Sequence, residues 1–144
     1  MQNYVSVEEA VSVIKSGDRI FSHGSACTPN FLIEELARQS SRLKDVEFVS
    51  ITQQGNIEVA KPQYKNSFFI NSLFVSTPVR DAVNSERGDF VPVFLSEIPT
   101  LFKNGILPID VAMITVSPPD KHGYCTLVTS VDVARSAIDN ANVI

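Results

Sequence analysis

The sequence has little of what marks several large classes of protein. Its two cysteines, Cys27 and Cys125, lie far apart, whereas a disulfide-stabilised secreted domain carries many cysteines at short spacings. No stretch of about 18 uncharged apolar residues occurs, which excludes a membrane-spanning helix. Lys and Arg number 12 against 16 Asp and Glu, without a basic cluster, which argues against a nucleic-acid-binding surface.

The residues that are present are those of an ordinary globular domain. The chain has 144 residues, of which 44% are hydrophobic, and this is enough to bury a sizeable core. Residues 1–4 have neither the basic nor the apolar region of a secretory signal. Together with the two isolated cysteines, this predicts a cytoplasmic protein.

Apolar runs of strand length alternate with helical patterns along the whole chain. The predicted strands are residues 20–21, 46–51, 67–75, 90–95, 109–116 and one that opens at 142. The predicted helices are residues 6–17, 28–37, 77–88, 98–105 and 130–141. This alternation predicts an α/β fold with an open, mostly parallel sheet flanked by helices.

Caps and prolines set the predicted helix boundaries. Thr28 and Thr77 are predicted N-caps, each followed by a proline at the first helical position. Gly17 and Gly88 are predicted to end helices, because glycine adopts the left-handed conformation at low cost.

A stiff loop follows the last long apolar strand, at residues 117–126. Pro118 and Pro119 remove two backbone donors and stop the strand, and Gly123 permits a turn that a side chain would resist. The loop presents Asp120 and His122 at the carboxyl end of a strand, where ligands bind in open α/β sheets. A rigid connector with a solvated tip is the alternative interpretation.

The loop after the first strand is a second candidate site. Gly24 and Ser25 turn the chain from strand to helix, and Pro29 closes the loop. Backbone N–H groups at such a turn suit a carboxylate or a phosphate. An ordinary strand-to-helix connection explains the same residues.

Neither a metal site nor a cysteine nucleophile is predicted. His23 with Cys27, and His122 with Cys125, supply four zinc-ligand types, but neither spacing is that of a zinc site. Cys125 lies in a strand-like context that indicates packing.

Among the acidic residues, only one is a candidate for function. The predicted helices place Glu34, Glu35 and Glu86 in solvent. Asp120 lies in the loop after the last strand, where it either takes part in binding or merely orders the turn.

The run Ser117-Pro118-Pro119-Asp120-Lys121-His122-Gly123-Tyr124-Cys125, with Thr129-Ser130-Val131-Asp132 after it, resembles the signature of the acetyl-CoA hydrolase/transferase family. Within that family it is similar to the 4-hydroxybutyrate and butyrate–acetate CoA-transferases. Residues 71–75, 94–99 and 107–112 also take part in the resemblance, which implies a CoA-transferase fold related to sugar-phosphate isomerases.

The resemblance implies a division of labour between two domains. In this family a glutamate attacks the acyl-CoA thioester, and that glutamate and a glycine-rich CoA loop lie in a carboxyl-terminal domain. Nothing in this sequence matches either, so residues 1–144 are predicted to be the amino-terminal domain, a fragment without a catalytic residue of its own. The partners implied are an acyl-CoA, a short carboxylate and the second domain in a homo-oligomer, with a coenzyme A thioester as substrate and no bound cofactor.

The resemblance also implies which residues line the substrate cleft. They are Gly24, Ser25, Pro29, Pro118, Pro119, Asp120, His122 and Gly123. Val128 stands where the family often has glycine. A positive φ there would strain a β-branched residue, and we expect instead an extended backbone with the valine narrowing the pocket.

Two other functions fit the same predicted sheet. One is a sugar-phosphate isomerase-like domain, which would need a base and a phosphate loop that the sequence does not show. The other is a non-catalytic ligand-binding or assembly module. The sequence does not name the acyl group, because one methylene changes discrimination by only about 1–3 kcal/mol.

Overall fold

The computed structural model describes residues 4–144 and contains five α-helices and six strands within that range. The strands are β1 (Arg19–Ser22), β2 (Val46–Ser50), β3 (Phe68–Ser72), β4 (Gly88–Phe90), β5 (Ile109–Met113) and β6 (Ala141–Val143). The helices are α1 (Val7–Ser12), α2 (Asn30–Arg38), α3 (Arg80–Val83), α4 (Ile98–Lys103) and α5 (Ala134–Asn140). None of the helices in this part of the chain is long and apolar enough to cross a membrane.

All six strands form one open sheet in the order β4-β3-β2-β1-β5-β6, and every pairing is parallel. The predicted α/β fold is therefore confirmed, and the opening of a strand at residue 142 corresponds to β6. The strand β1 lies at the centre, with β2 on one side and β5 on the other.

Alternate residues of the strands point to opposite faces, and helices cover both faces. One face carries Ile20, Phe48 and Ile70 and packs against α1 and α2. The other carries Phe21 and Val49 and packs against α4 and α5. Since both faces are buried, the strands have the continuous apolar character typical of parallel sheets.

The first helix begins as predicted, but several boundaries differ from the sequence expectations. The Ser6 hydroxyl accepts a hydrogen bond from the Glu9 N–H at 3.2 Å. The helix then ends at Ser12, so Gly17 lies in a later turn instead of capping it. Pro29, not Thr28, is the N-cap of α2, and the Thr28 hydroxyl donates to the Ser25 carbonyl.

Around the third helix the chain again departs from the prediction. Ser76 precedes the 3-10 turn Thr77–Val79 that leads into α3. Gly88 does not end this helix; it begins β4, where a Cβ would clash with the Ile70 carbonyl oxygen. Strand β4 also ends at Phe90, so most of the predicted strand at residues 90–95 is irregular.

Glu35 corrects the expectation that the α2 carboxylates are solvated. It is only 4% exposed and accepts hydrogen bonds from Arg38 at 2.9 Å and Gln39 at 2.8 Å. Hydrogen bonds from Gln39 and Arg38 lower the pKa of the Glu35 carboxyl and outweigh its desolvation. Glu35 therefore stabilises the end of α2 from a buried position.

Candidate functional site

The strand order predicts a ligand-binding crevice at the carboxyl edge of the sheet, beside β1. From β1 the chain continues through β2, β3 and β4 on one side of the sheet, whereas β5 and β6 lie on the other side of β1. The strand order therefore reverses direction between β1 and β5. In open α/β sheets such a switch in strand order is where ligands bind. The loops after β1 and β5 are the ones that the sequence analysis singled out.

Buried polar residues mark this edge. Ser22, Ser50 and Ser72 are the last residues of three neighbouring strands, pair in register, and are fully buried. The Ser22 hydroxyl donates to the Gln53 side-chain oxygen at 3.3 Å. The hydroxyls of Ser50 and Ser72 have no hydrogen-bond partner among the described residues. The apolar interior thus gives way to polar groups directly below the crevice.

The turn at Gly24 and Ser25 depends on a close approach to the end of β2. A Cβ at Gly24 would come within 2.9 Å of the Thr52 carbonyl oxygen, which favours glycine there. Ser25 has a left-handed φ of 52°, and its N–H donates to the same Thr52 oxygen at 2.8 Å. Its hydroxyl lies 2.6 Å from the Thr52 hydroxyl.

Three amides of this loop are occupied within the protein. The N–H groups of Ser25, Cys27 and Thr28 all donate to carbonyl oxygens of the protein. These three amides are therefore not free to bind a carboxylate or a phosphate. Pro29 is buried, so it supports the loop from beneath.

His23 joins the end of β1 to the chain after β5. It is fully buried, and its Nδ1 accepts a hydrogen bond from the Thr115 N–H at 3.2 Å. Its Nε2 therefore carries the proton and donates to the Ser130 carbonyl oxygen at 2.5 Å. Both ring nitrogens are engaged with the backbone, so His23 is not available as a zinc ligand.

Cys27 contacts the same downstream stretch as His23. Its Sγ lies 3.9 Å from the Leu127 carbonyl oxygen and 3.6 Å from the Thr129 hydroxyl. Burial raises the pKa of the Cys27 thiol, but hydrogen bonds from Thr129 and Ser130 outweigh burial and lower that pKa. His23 and Cys27 together hold residues 127–132, which we call the pinned segment.

The pinned segment contains two residues with a left-handed backbone. Val128 has φ 60°, which β-branched residues avoid, and Asp132 has φ 38°, which aspartate tolerates better. The expectation of an extended backbone at Val128 is therefore wrong. The side chain of Val128 is 47% exposed, so packing around it does not explain the conformation.

Residues 117–126, which we call the proline loop, are closed by their own hydrogen bonds. The Ser117 N–H donates to the Thr126 carbonyl at 3.0 Å, and the Asp120 N–H donates to the Tyr124 carbonyl at 2.9 Å. The Asp120 carboxylate accepts from the N–H groups of His122 and Tyr124 at 2.8 and 2.9 Å. Gly123 has φ +86°. Asp120 therefore orders the turn, one of the two roles considered for it.

The proline loop is exposed to solvent. His122, Gly123 and Tyr124 are all exposed, as is Pro118, while Pro119 is half-buried. Cys125 is exposed as well, which corrects the expectation that it packs in a strand. No hydrogen bond within residues 4–144 joins the proline loop to residues 24–29. The structure thus joins the loop after β1 to the pinned segment through His23 and Cys27, whereas no hydrogen bond among the described residues joins His122 to that loop.

A model of the acetyl-CoA hydrolase/transferase N-terminal domain matches residues 1–144. The chain belongs to the acetyl-CoA hydrolase/transferase family. It is 42% identical over 136 residues to a succinyl-CoA:acetate/propanoyl-CoA:succinate CoA transferase of Fasciola hepatica, covering 93% of this chain and 28% of that protein. It is 37% identical over 143 residues to a 4-hydroxybutyrate coenzyme A transferase of Clostridium kluyveri, covering 99% of this chain and 33% of that protein.

The fold agrees with solved structures as well. RipA from Yersinia pestis superposes with a TM-score of 0.79 at 29% identity, covering 93% of this chain and 34% of that one. The family resemblance in the sequence is thereby confirmed. The chain spans about one third of the length of the proteins that it matches, or less.

Within this acetyl-CoA hydrolase/transferase domain, sequence reasoning missed the residues that organise the edge. Thr52, Gln53 and Thr115 contact the loop after β1, although nothing in their local sequence distinguishes them from other strand ends. Their position shortly after β2 and β5 was the one feature of the sequence that could have predicted these contacts. No three His, Cys, Asp or Glu side chains within residues 4–144 form a cluster that could hold a metal ion.

Proposed function

We propose that residues 1–144 are the amino-terminal domain of a two-domain CoA-transferase that moves CoA between an acyl-CoA and a short carboxylic acid. The observation that carries this proposal is the family match along the whole chain. Two of the relatives above 30% identity are named for CoA transfer involving succinate, acetate, propanoate or 4-hydroxybutyrate. We take the acid of this protein to belong to the same short-chain class, which includes butyrate.

The proposed chemistry proceeds through a glutamate that lies beyond residue 144. Its carboxylate attacks the thioester carbonyl, the CoA thiolate leaves, and an acyl–glutamyl anhydride forms. The thiolate then attacks the glutamyl carbonyl, which releases the first acid and leaves a glutamyl-CoA thioester. A second carboxylic acid then attacks the glutamyl-CoA thioester, which releases the CoA thiolate and forms a new anhydride. The thiolate attacks the acyl carbonyl of this anhydride, which gives the new acyl-CoA and frees the glutamate.

The contribution of this chain is one wall of the cleft in which that exchange takes place. We assign substrate contacts to the loop after β1 through Gly24, Ser25 and Pro29. We assign others to the proline loop through Pro118, Pro119, Asp120, His122 and Gly123. The position of both loops at the carboxyl edge of one sheet supports this assignment.

The test compares the full-length protein with residues 1–144. We expect the full-length protein to transfer CoA from acetyl-CoA to butyrate or 4-hydroxybutyrate. Chromatography of the acyl-CoA products measures this transfer. We expect no transfer by residues 1–144, because the proposed nucleophile is absent. Exchange by the short chain that is lost on substituting one of its own acids would contradict the proposal. Binding of acyl-CoA by the full-length protein without exchange would favour a ligand-binding module.

Two further parts of the proposal concern the setting of the enzyme. Cys27 and Cys125 are both free, and this supports a cytoplasmic location, where thiols stay reduced. We propose that the full-length enzyme forms a homo-oligomer. Light scattering of the purified full-length protein measures its mass directly, and a monomer would contradict this part.

A further inference from the structure

A second cleft lies at the carboxyl edge, between the loops that follow β2 and β3. It has a volume of about 540 Å³. Residues of the β2 loop form one side and residues of the β3 loop the other, and the start of α3 closes one end. Gln54, Phe74, Thr77 and Arg80 are among the lining residues.

Arg80 is the cation of this cleft, and its guanidinium has no partner among the described residues. The five other arginines of the chain donate to carboxylates, carbonyls or side-chain oxygens. Those five are Arg19, Arg38, Arg42, Arg87 and Arg135. The Arg80 side chain forms no hydrogen bond or ion pair within residues 4–144. Its five N–H donors are therefore free to bind a ligand.

The rest of the lining complements that charge. The side chains of Gln54 and Thr77 are exposed and make no hydrogen bond within the described part of the chain. Phe74 is 61% exposed and supplies an apolar wall. No acidic side chain lines the cleft, although acidic residues outnumber basic ones in the chain. Such a cleft combines a cation, neutral donors and an apolar surface.

We propose that this cleft binds an anionic group of the substrates through the Arg80 guanidinium, with Gln54 and Thr77 as additional donors. This inference rests on the proposed function, because the substrates of a CoA-transferase are anions. The ligand chemistry is a carboxylate or phosphate oxygen pair, which a planar guanidinium binds with two parallel hydrogen bonds. Two sources carry it: the carboxylate of the acid and the phosphates of CoA.

Calorimetry on the full-length protein tests the CoA source without requiring turnover. We expect Arg80→Gln to weaken CoA binding about tenfold, equivalent to about 1.4 kcal/mol, if a phosphate occupies the cleft. A loss for CoA but not for 3′-dephospho-CoA assigns the 3′-phosphate, and an equal loss for both assigns the pyrophosphate. Because calorimetry reads binding alone, it separates failure of this site from failure of the proposed transfer reaction.

Kinetics with two acceptor acids tests the carboxylate source. If the cleft binds a remote carboxylate, Arg80→Gln raises the KM for succinate about tenfold and leaves that for acetate unchanged. A rise for both acids assigns the reacting carboxylate instead. Arg80→Lys keeps the charge but loses the planar guanidinium. We therefore expect Arg80→Lys to weaken CoA binding, or to raise the KM, by less than Arg80→Gln does.

Arg135→Gln is the matched control, because it removes the same charge from an exposed arginine that pairs with Asp139 outside the cleft. We expect it to change none of these values by more than twofold. The inference is overturned if Arg80→Gln changes every value by less than twofold, or if Arg135→Gln reproduces its effects. Unchanged thermal melting of both variants shows that the fold is intact.

Discussion

The proline loop and the pinned segment are neighbours in the chain, but they are ordered in opposite ways. The proline loop is closed by its own hydrogen bonds, with Asp120 accepting from two backbone amides. The pinned segment is held by residues about 100 positions earlier, through His23 and Cys27. The proline loop is ordered by hydrogen bonds between its own residues, whereas the pinned segment is ordered by contacts with residues at the end of β1 and just after it.

Removing the imidazole of His23 should produce the largest difference in stability between the pinned segment and the proline loop. His23→Ala leaves two buried backbone groups unpaired and creates a cavity, so we expect a loss of about 4 kcal/mol in the free energy of unfolding. Urea denaturation of the full-length protein measures the loss. Hydrogen exchange should show faster exchange in the pinned segment than in the proline loop.

His23→Gln and His23→Asn separate the two ring contacts. Glutamine retains a donor near the position of Nε2, and asparagine retains an acceptor near the position of Nδ1. We expect exchange in the pinned segment to rise more with asparagine, since only the Nε2 contact reaches Ser130. Equal exchange in the pinned segment for both variants would contradict its being held by His23.

Gly123→Val is the corresponding change in the proline loop. A side chain at φ +86° costs about 1–3 kcal/mol locally, although nothing lies within 4 Å of the added Cβ. Because a loop displacement of about 1 Å can cost about a hundredfold in rate, we expect kcat/KM to fall by that order. His122→Ala, which removes one exposed side chain, should have a smaller effect.

The His122→Ala control decides between loop shape and side-chain chemistry. Both variants are first checked by circular dichroism. If His122→Ala lowers kcat/KM ten times more than Gly123→Val, the imidazole takes part directly and the shape of the loop is secondary.

The sequence predicted the proline loop better than the pinned segment for a physical reason. Proline, glycine and aspartate restrict or stabilise their own backbone, so Pro118, Asp120 and Gly123 indicate a turn without any knowledge of the fold. The left-handed Val128 contradicts its local preference, and the contacts that hold it come from His23 and Cys27. Such long-range contacts have no signal in the local sequence.

The contrast between local preference and long-range contacts also explains which parts of the fold could be predicted from the sequence. The apolar runs of β2 and β5 were found because burial on both faces produces them. Gly88 was misassigned because its requirement, a close approach to Ile70, exists only once β3 and β4 are paired. Glu35 was placed in solvent because its burial depends on how the end of α2 packs.

Cys27 provides a smaller, pH-dependent test of the pinned segment. The pKa of its thiol is lowered from the ordinary 9.0, so the folded state favours the thiolate. The resulting stability is fully present above the unfolded pKa and is lost as pH falls through the folded pKa. We expect the stability difference between wild type and Cys27→Ala to grow as pH rises through this window. The same pH dependence of stability in wild type and in Cys27→Ala would refute the assignment.

Val128→Gly should have the smallest effect and the opposite sign. Glycine removes the cost of about 1–2 kcal/mol for a side chain at φ 60° but loses more conformational entropy on folding. We expect a net gain of about 0.5 kcal/mol in the free energy of unfolding. Val131→Gly is the control, because Val131 is similarly exposed and lacks a positive φ, so the substitution should destabilise. A loss of stability in Val128→Gly would show that the left-handed backbone carries little strain.

The central position of β1 also has a consequence for synthesis on the ribosome. Strand β1 pairs with β2, which follows soon after it, and with β5, which lies about 91 positions later. At about 5–20 residues per second, roughly 5–18 s separate the emergence of the two strands. During that interval β2, β3 and β4 emerge in turn, while the edge of β1 that pairs with β5 lacks its partner. The nascent chain thus exposes Ile20 and Phe21 beside an open strand edge, which is the kind of surface that chaperones bind.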